Sequence, residues 1–243
     1  MNAGPESDHA RLVRAVARLY AESELPMLRH AAEILIRLAA AAPRPGKTLR
    51  LPVARFMPAA AAAARRGPLR DIAEALAAVE PASDWLQNPN YGGGAVGPAF
   101  LDNYGYVELV GPCRAYDSRD VLMGFLMLGP GTLYPDHGHA AEEVYHVVAG
   151  RAAWWREDLG WRDEPPGAAI RHAPYRRHAM RTGDEPLLAL YCWSGEIGAA
   201  ARLTAPDPAA PQLQRPRSGG EMSAAATGSR AGGARRTRRR HPR

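Results

Sequence analysis

No feature constrains the fold more than the change of pattern near residue 104. From there to about residue 194 the chain breaks into short runs: "YGYVELV", "DVLMGFLML", "EEVYHVVA", "RAAWWRE", "GAAIRH", "RHAMRT" and "LLALYCWS". Gly, Pro and Asp separate them, and "TGDEP" at 182–186 has the composition of a tight turn. Several short strands so spaced suggest a sandwich or small barrel.

Upstream the period is helical. Leu12, Val16, Leu19 and Tyr20 fall on one face, and Met27, Ala31, Ile34, Leu35 and Leu38 do so in the next segment. "AAPRPGKTLRLP" breaks the pattern before the alanines at 59–64. Ile72, Leu76 and Val79 resume it, Pro81 ends it, and "NPNYGGGAVGP" reads as a loop. Downstream of Thr204 the chain is poor in apolar residues and rich in Pro, Gly, Ser, Ala and Arg, the composition of a disordered tail.

That tail explains the charge. The chain of 243 residues carries a net +6, which on its face invites nucleic acid. Nine arginines against Asp207 and Glu221 place +7 beyond residue 204, so the remainder carries −1. A basic tail such as "RRTRRRHPR" binds phosphates weakly and without sequence choice, and no specific nucleic-acid partner is expected. Cys113 and Cys192, the two cysteines, are too few for a disulfide scaffold or a thiolate metal site. The start shows no secretory signal, and "VLMGFLMLG" is far short of the ~20 residues of a spanning helix. A cytoplasmic protein without membrane contact is the expectation.

The chain has eight histidines, and three of them fall within ten residues in "GTLYPDHGHAAEEVYHVVAG", 131–150. Residues two apart on a strand share a face, so His137 and His139 point the same way, Tyr145 shares the face of Glu143, and His146 points to the other side. Inside a barrel, His-x-His with a carboxylate is most of a mononuclear metal site, since buried polar groups need partners. Imidazole and carboxylate suit Zn, Fe, Mn or Ni, so one divalent transition metal is expected. The fourth ligand should come from another strand, His178 first and His172 behind it; His172 and His146 otherwise read as surface or packing residues. A phenol facing a dication loses its proton well below its ordinary value, which makes Tyr145 or Tyr134 a usable base or a further ligand.

Gly131, His137, His139, Glu143 and Gly150 reproduce the first cupin motif, Gly-x5-His-x-His-x3-Glu-x6-Gly, without a gap. Gly167 and His178 keep the spacing of the second, although Pro174 is displaced by one and Arg176 and Thr182 replace its usual glycine and asparagine. The resemblance implies a mainly β fold, a cupin (double-stranded β-helix or jelly-roll) barrel, with an α-helical N-terminal extension. The expected boundaries are 1–100 for the extension packed on the barrel, 101–204 for the barrel with its metal site, and 205–243 for the tail.

With the tyrosines, "PDHGHAAEEVYHVVAGRAAWW" and the helical extension, the chain resembles the cupin dimethylsulfoniopropionate lyases. The likeness covers most of residues 10–200 and implies cleavage of a small sulfonium carboxylate to acrylate and dimethyl sulfide. It implies His137, His139, Glu143 and His178 as metal ligands, Tyr145 as the base, and Tyr134 and Trp193 as substrate contacts. A sulfonium calls for aromatic faces rather than a carboxylate, and Tyr191 and Trp193 share one face of "LLALYCWS". Two other readings stay open: a metal-dependent cupin oxygenase or isomerase of a small acid, and a non-catalytic cupin sensor. A homodimer is likewise left open.

Overall fold

The structure, a computed structural model, describes residues 6–92 and 94–204. The tail expected for 205–243 lies outside the described residues. Helices come first: α1 (Asp8–Ala21), α2 (Pro26–Leu38), α3 (Met57–Ala64) and α4 (Arg70–Val79), with the short α5 (Pro98–Leu101) after the Gly-rich loop. Ser7 caps α1, its hydroxyl accepting from the backbone N–H of Ala10 at 3.2 Å, and Pro26 opens α2 where a missing N–H costs nothing. The buried faces are those the period dictates: Leu12, Val16 and Tyr20 on α1, Leu28, Ala31 and Leu35 on α2, Ile72, Leu76 and Val79 on α4. Leu19, Met27 and Leu38 sit at the margins, only partly buried.

The strands are β1 (Trp85–Leu86), β2 (Tyr104–Gly111), β3 (Tyr116–Asp117), β4 (Val121–Leu128), β5 (Leu133–Gly138), β6 (Glu142–Ala149), β7 (Ala152–Arg156), β8 (Gly160–Glu164), β9 (Ala169–His172), β10 (His178–Thr182), β11 (Leu187–Ser194) and β12 (Arg202–Leu203). One sheet runs β1-β2-β4-β11-β6-β9, with β3 beside β2; the other runs β12-β5-β10-β7-β8. Every pairing except β2 with β3 is antiparallel. The result is a cupin-type double-stranded β-helix with helices at its N-terminal side. β1 precedes residue 101, so the helical extension also supplies an edge strand to the larger sheet.

Alternation along the strands divides the core in two. Val107 and Leu109 of β2, Met123, Phe125 and Met127 of β4, Val144 and Val148 of β6, and Leu188, Leu190 and Cys192 of β11 turn outward into the helices. Their neighbours Tyr104, Leu126, Tyr145, Val147, Ala189 and Tyr191 turn inward against Trp154 and Met180 of the smaller sheet. Gly150 ends β6 at φ 79°, and a Cβ there would meet the Pro186 carbonyl at 2.1 Å, so this motif position admits only glycine. Among the described residues no helix is long and apolar enough to cross a membrane.

Candidate functional site

Glu143 reaches the barrel interior from β6, on the inward parity of that strand, and is fully buried. His178 opens β10 on the opposite sheet, and His139 lies just past the end of β5. His139 Nε2 is 3.0 Å from Glu143 Oε2, and His178 Nε2 is 3.3 Å from the same oxygen. Together these three form the group of buried potential metal ligands found among the described residues. His139 Nδ1–H donates to the Ala141 carbonyl at 3.0 Å and His178 Nδ1–H to that of Arg176 at 3.0 Å. A carbonyl can only accept, so both protons sit on Nδ1 and both Nε2 lone pairs face the centre. His178 Nε2 is buried without a hydrogen-bond partner. As neutral imidazoles, these rings aim lone pairs at an anionic carboxylate, a repulsion relieved either by a second proton on the rings or by a metal ion between them. Bonds of about 2.0–2.1 Å would place neighbouring ligand atoms about 3.0–3.4 Å apart, which the observed spacings match. The three residues fit a metal ion.

His137 is buried beside this group but is not a member of it. Its Nδ1–H donates to the Pro135 carbonyl at 2.8 Å, and its ring stacks on Tyr134, 4.0 Å between centroids at 7°. Three residues apart on a regular strand, Tyr134 and His137 would face opposite ways. A register shift resolves this: His137 lies opposite His178 while Tyr134 lies opposite Met180, so the β5 segment between them bulges. Tyr134 thereby enters the site, with its hydroxyl 2.9 Å from that of Tyr91.

The second motif's irregularities have local explanations. Tyr175, not a glycine, takes the left-handed turn before His178 at φ 64°, and its N–H donates to the His139 carbonyl at 2.7 Å. Thr182 accepts from the Thr132 N–H at 2.8 Å and donates to the Gly129 carbonyl at 2.7 Å. Both contacts tie the end of β10 to the turn between β4 and β5.

Tyr145 is one inward step along β6 from Glu143 and is buried against Trp154 at 4.9 Å. Burial pushes its phenol well above the ordinary value, and the charge of Glu143 pushes it further. Glu143 itself is raised by burial but held well below the carboxylate range by His139 and His178. Trp193 Nε1–H donates to Glu143 Oε1 at 2.5 Å, and the Trp193 ring stacks on His139 at 4.1 Å. A cavity of about 340 Å³ opens onto Glu143, Tyr134, Tyr145, Tyr191 and Trp193, so the expected base and substrate contacts line one space.

Of the two expectations for His172 and His146, surface or packing, both residues take the second and are buried. His172 pairs with Glu143 across β6 and β9 and stacks flat on His178, 3.9 Å at 12°, behind the donor group. His146 faces the helical layer. Three further residues of the interior escaped the sequence reading: Tyr91, Glu108 and the stacked position of His172. Only Glu108 left a trace, the inward parity it shares with two tyrosines in "YGYVE".

Known proteins settle the family. The dimethylsulfoniopropionate lyase family matches residues 27–189. The chain belongs to the dimethylsulfoniopropionate lyases. A relative, the dimethylsulfoniopropionate lyase DddQ of Ruegeria pomeroyi, is 32% identical over 136 residues, 56% of this chain and 67% of that protein. The DddL protein of Cereibacter sphaeroides is 35% identical over 132 residues, and the chain spans about half its length, 53%. The crystal structure of the Ruegeria DddQ superposes with a TM-score of 0.66 at 27% identity, covering 82% of this chain and 98% of that one. His137, His139, Glu143, Tyr145 and His178 all fall inside the matched range.

Proposed function

We propose that this chain cleaves dimethylsulfoniopropionate to acrylate and dimethyl sulfide, with His139, Glu143 and His178 holding a divalent metal and Tyr145 acting as base. The observation that carries this reading is a cavity lined by both the Tyr145 phenol and Glu143, the carboxylate that His139 and His178 approach, in a chain of the lyase family. When bound, a divalent ion supplies positive charge, which favours both a substrate carboxylate and the phenolate form of Tyr145. Tyr145 Oη takes the proton from the carbon beside the carboxylate. The electron pair of that C–H bond becomes the second bond of acrylate, the neighbouring C–S bond breaks, and its pair leaves with sulfur as neutral dimethyl sulfide. No general acid is required. Trp193 holds Glu143 Oε1, and Tyr134, Tyr191 and Trp193 wall the substrate from water. His137, edge-on to His178 at 4.1 Å, backs this wall.

Purified protein loaded with Zn, Fe, Mn or Ni and given dimethylsulfoniopropionate should release dimethyl sulfide into the headspace and acrylate into solution in equal amounts. Glu143→Ala should release neither. A loaded protein that yields no sulfide, or consumes oxygen with a small acid instead, overturns the reading.

A further inference from the structure

We propose that Glu108 is the residue that recognises the positively charged end of the substrate. The inference rests on the lyase reading and extends it to the far end of the cavity.

Glu108 stands on β2 with Tyr104 and Tyr106, on the face opposite Val107 and Leu109, so its side chain enters the barrel. It lines the same cavity as Glu143. Cross-strand register fixes where. Glu108 pairs with Gly124 on β4, Gly124 with Tyr191 on β11, and Tyr191 with Tyr145 on β6. The absence of a side chain at Gly124 is what lets this row work. A Cβ there would fall 2.7 Å from the Tyr191 hydroxyl and 2.3 Å from the Val107 carbonyl. The phenol of Tyr191 lies across the empty position and donates to Glu108 Oε1 at 3.3 Å.

Tyr191 and Trp193 are consecutive inward residues of β11, their rings 6.5 Å apart. Tyr191 is bonded to Glu108, and Trp193 is bonded to Glu143. The cavity therefore has two acidic poles joined by an aromatic wall. At one pole imidazoles surround the carboxylate and suit a metal. At the other, no imidazole lines the cavity among the described residues: Tyr106 meets Tyr191 edge to face at 6.3 Å and 84°, and the Tyr191 hydroxyl reaches Glu108. Aromatic faces around a carboxylate are the surroundings that stabilise an onium group lacking N–H donors, through ring quadrupoles and charge together. A molecule with a carboxylate at one end and a sulfonium at the other fits these poles in one orientation only.

Arg114 bounds the outer pole. Its guanidinium, one-third exposed and itself lining the cavity, holds Glu108 Oε2 at 2.5 Å and leaves Oε1 to Tyr191. It fixes the carboxylate's orientation and also opposes a bound cation. The two members of this pair therefore predict opposite effects, whereas an ion pair that merely ties β2 to the following turn predicts the same effect from either loss.

The test uses full-length, metal-loaded protein and steady-state kinetics with dimethylsulfoniopropionate. Glu108→Gln should raise KM about tenfold with kcat within about twofold, and Arg114→Gln should lower KM. Inhibition by 3-(methylthio)propionate, which keeps the carboxylate and lacks the positive charge, should be the same in wild type and Glu108→Gln. Equal weakening of substrate and thioether, an unchanged KM in Glu108→Gln, or a KM that moves the same way in both variants overturns the assignment. Calorimetric binding of the two compounds separates this from the lyase reading. If wild type releases no sulfide, that reading fails alone when wild type prefers the sulfonium and Glu108→Gln does not, and both fail when neither protein has the preference.

Discussion

The proposed role of Tyr145 as base is testable at a single atom, because the forces on its hydroxyl are defined. Burial and Glu143 both raise its pKa, so without a bound cation the phenol keeps its proton throughout the ordinary pH range. Tyr145→Phe removes one oxygen and leaves the ring against Trp154 and Tyr191, so folding and metal content should be preserved. Loss of a general base typically costs 10²–10⁴-fold, and kcat should fall by roughly that much with KM nearly constant. The check is kcat alongside metal analysis of the same preparation. Near wild-type turnover would pass the role to Tyr134, which also lines the cavity, and loss of metal would make Tyr145 a ligand.

At the scale of elements, the strands that the sequence displayed most plainly are those whose two faces differ in kind. On β6, Glu143, Tyr145 and Val147 alternate with Val144, His146 and Val148, and the run "EEVYHVVA" coincides with the strand. Legibility failed where pairing overrides period. The β5 bulge cannot be read from "LYPDHG", because it exists only through the register with β10 that places His137 opposite His178. His172 becomes part of the site through its pairing with Glu143, a contact between residues 29 positions apart. β1, β3 and β12, at two residues each, are too short to show any period. His146 illustrates a consequence of such packing. It sits beneath α1 with its ring 5.7 Å from that of Tyr20, and its Nδ1 is buried without a partner. Burial lowers its pKa to about 4, against 6.5 when exposed. The unfolded chain therefore binds this proton first as pH falls. Stability from this group is complete above pH ~6.5, declines as pH falls toward ~4, and the loss reaches at most ~3 kcal/mol. Denaturant melts at pH 7.5 and 5.0 should show the decline, and His146→Leu should flatten it. An equal decline in the variant assigns the acid sensitivity elsewhere.

For the whole molecule, the decisive fact is that the candidate metal donors come from both sheets. Glu143 belongs to the seven-stranded sheet, while His178 opens a strand of the five-stranded one and His139 follows another. An ion bound to all three links the two layers across the interior. The larger sheet in turn shares a continuous apolar core with α1, α2 and α4, through residues such as Leu12, Leu35, Leu76, Phe125 and Leu190. Helices and strands should therefore melt together, and stabilising the site should stabilise both. A ligand that binds only the folded chain adds RT ln(1 + [L]/Kd), about 2.7 kcal/mol at a hundredfold excess over Kd. For a chain of this size each kcal/mol moves Tm by roughly 2–4 °C, so saturating metal should raise Tm by about 5–10 °C over chelated protein. Far-ultraviolet dichroism, which follows the helices, and tryptophan fluorescence, which follows the barrel, should shift together. His139→Ala should abolish the increment, because it removes a donor and leaves Glu143 facing fewer imidazoles, whereas Tyr145→Phe should retain it. Equal melting temperatures with and without metal would show that these donors do not hold an ion. A shift seen by fluorescence but not by dichroism would mean that the helical layer and the barrel are energetically separate, in spite of the core they share.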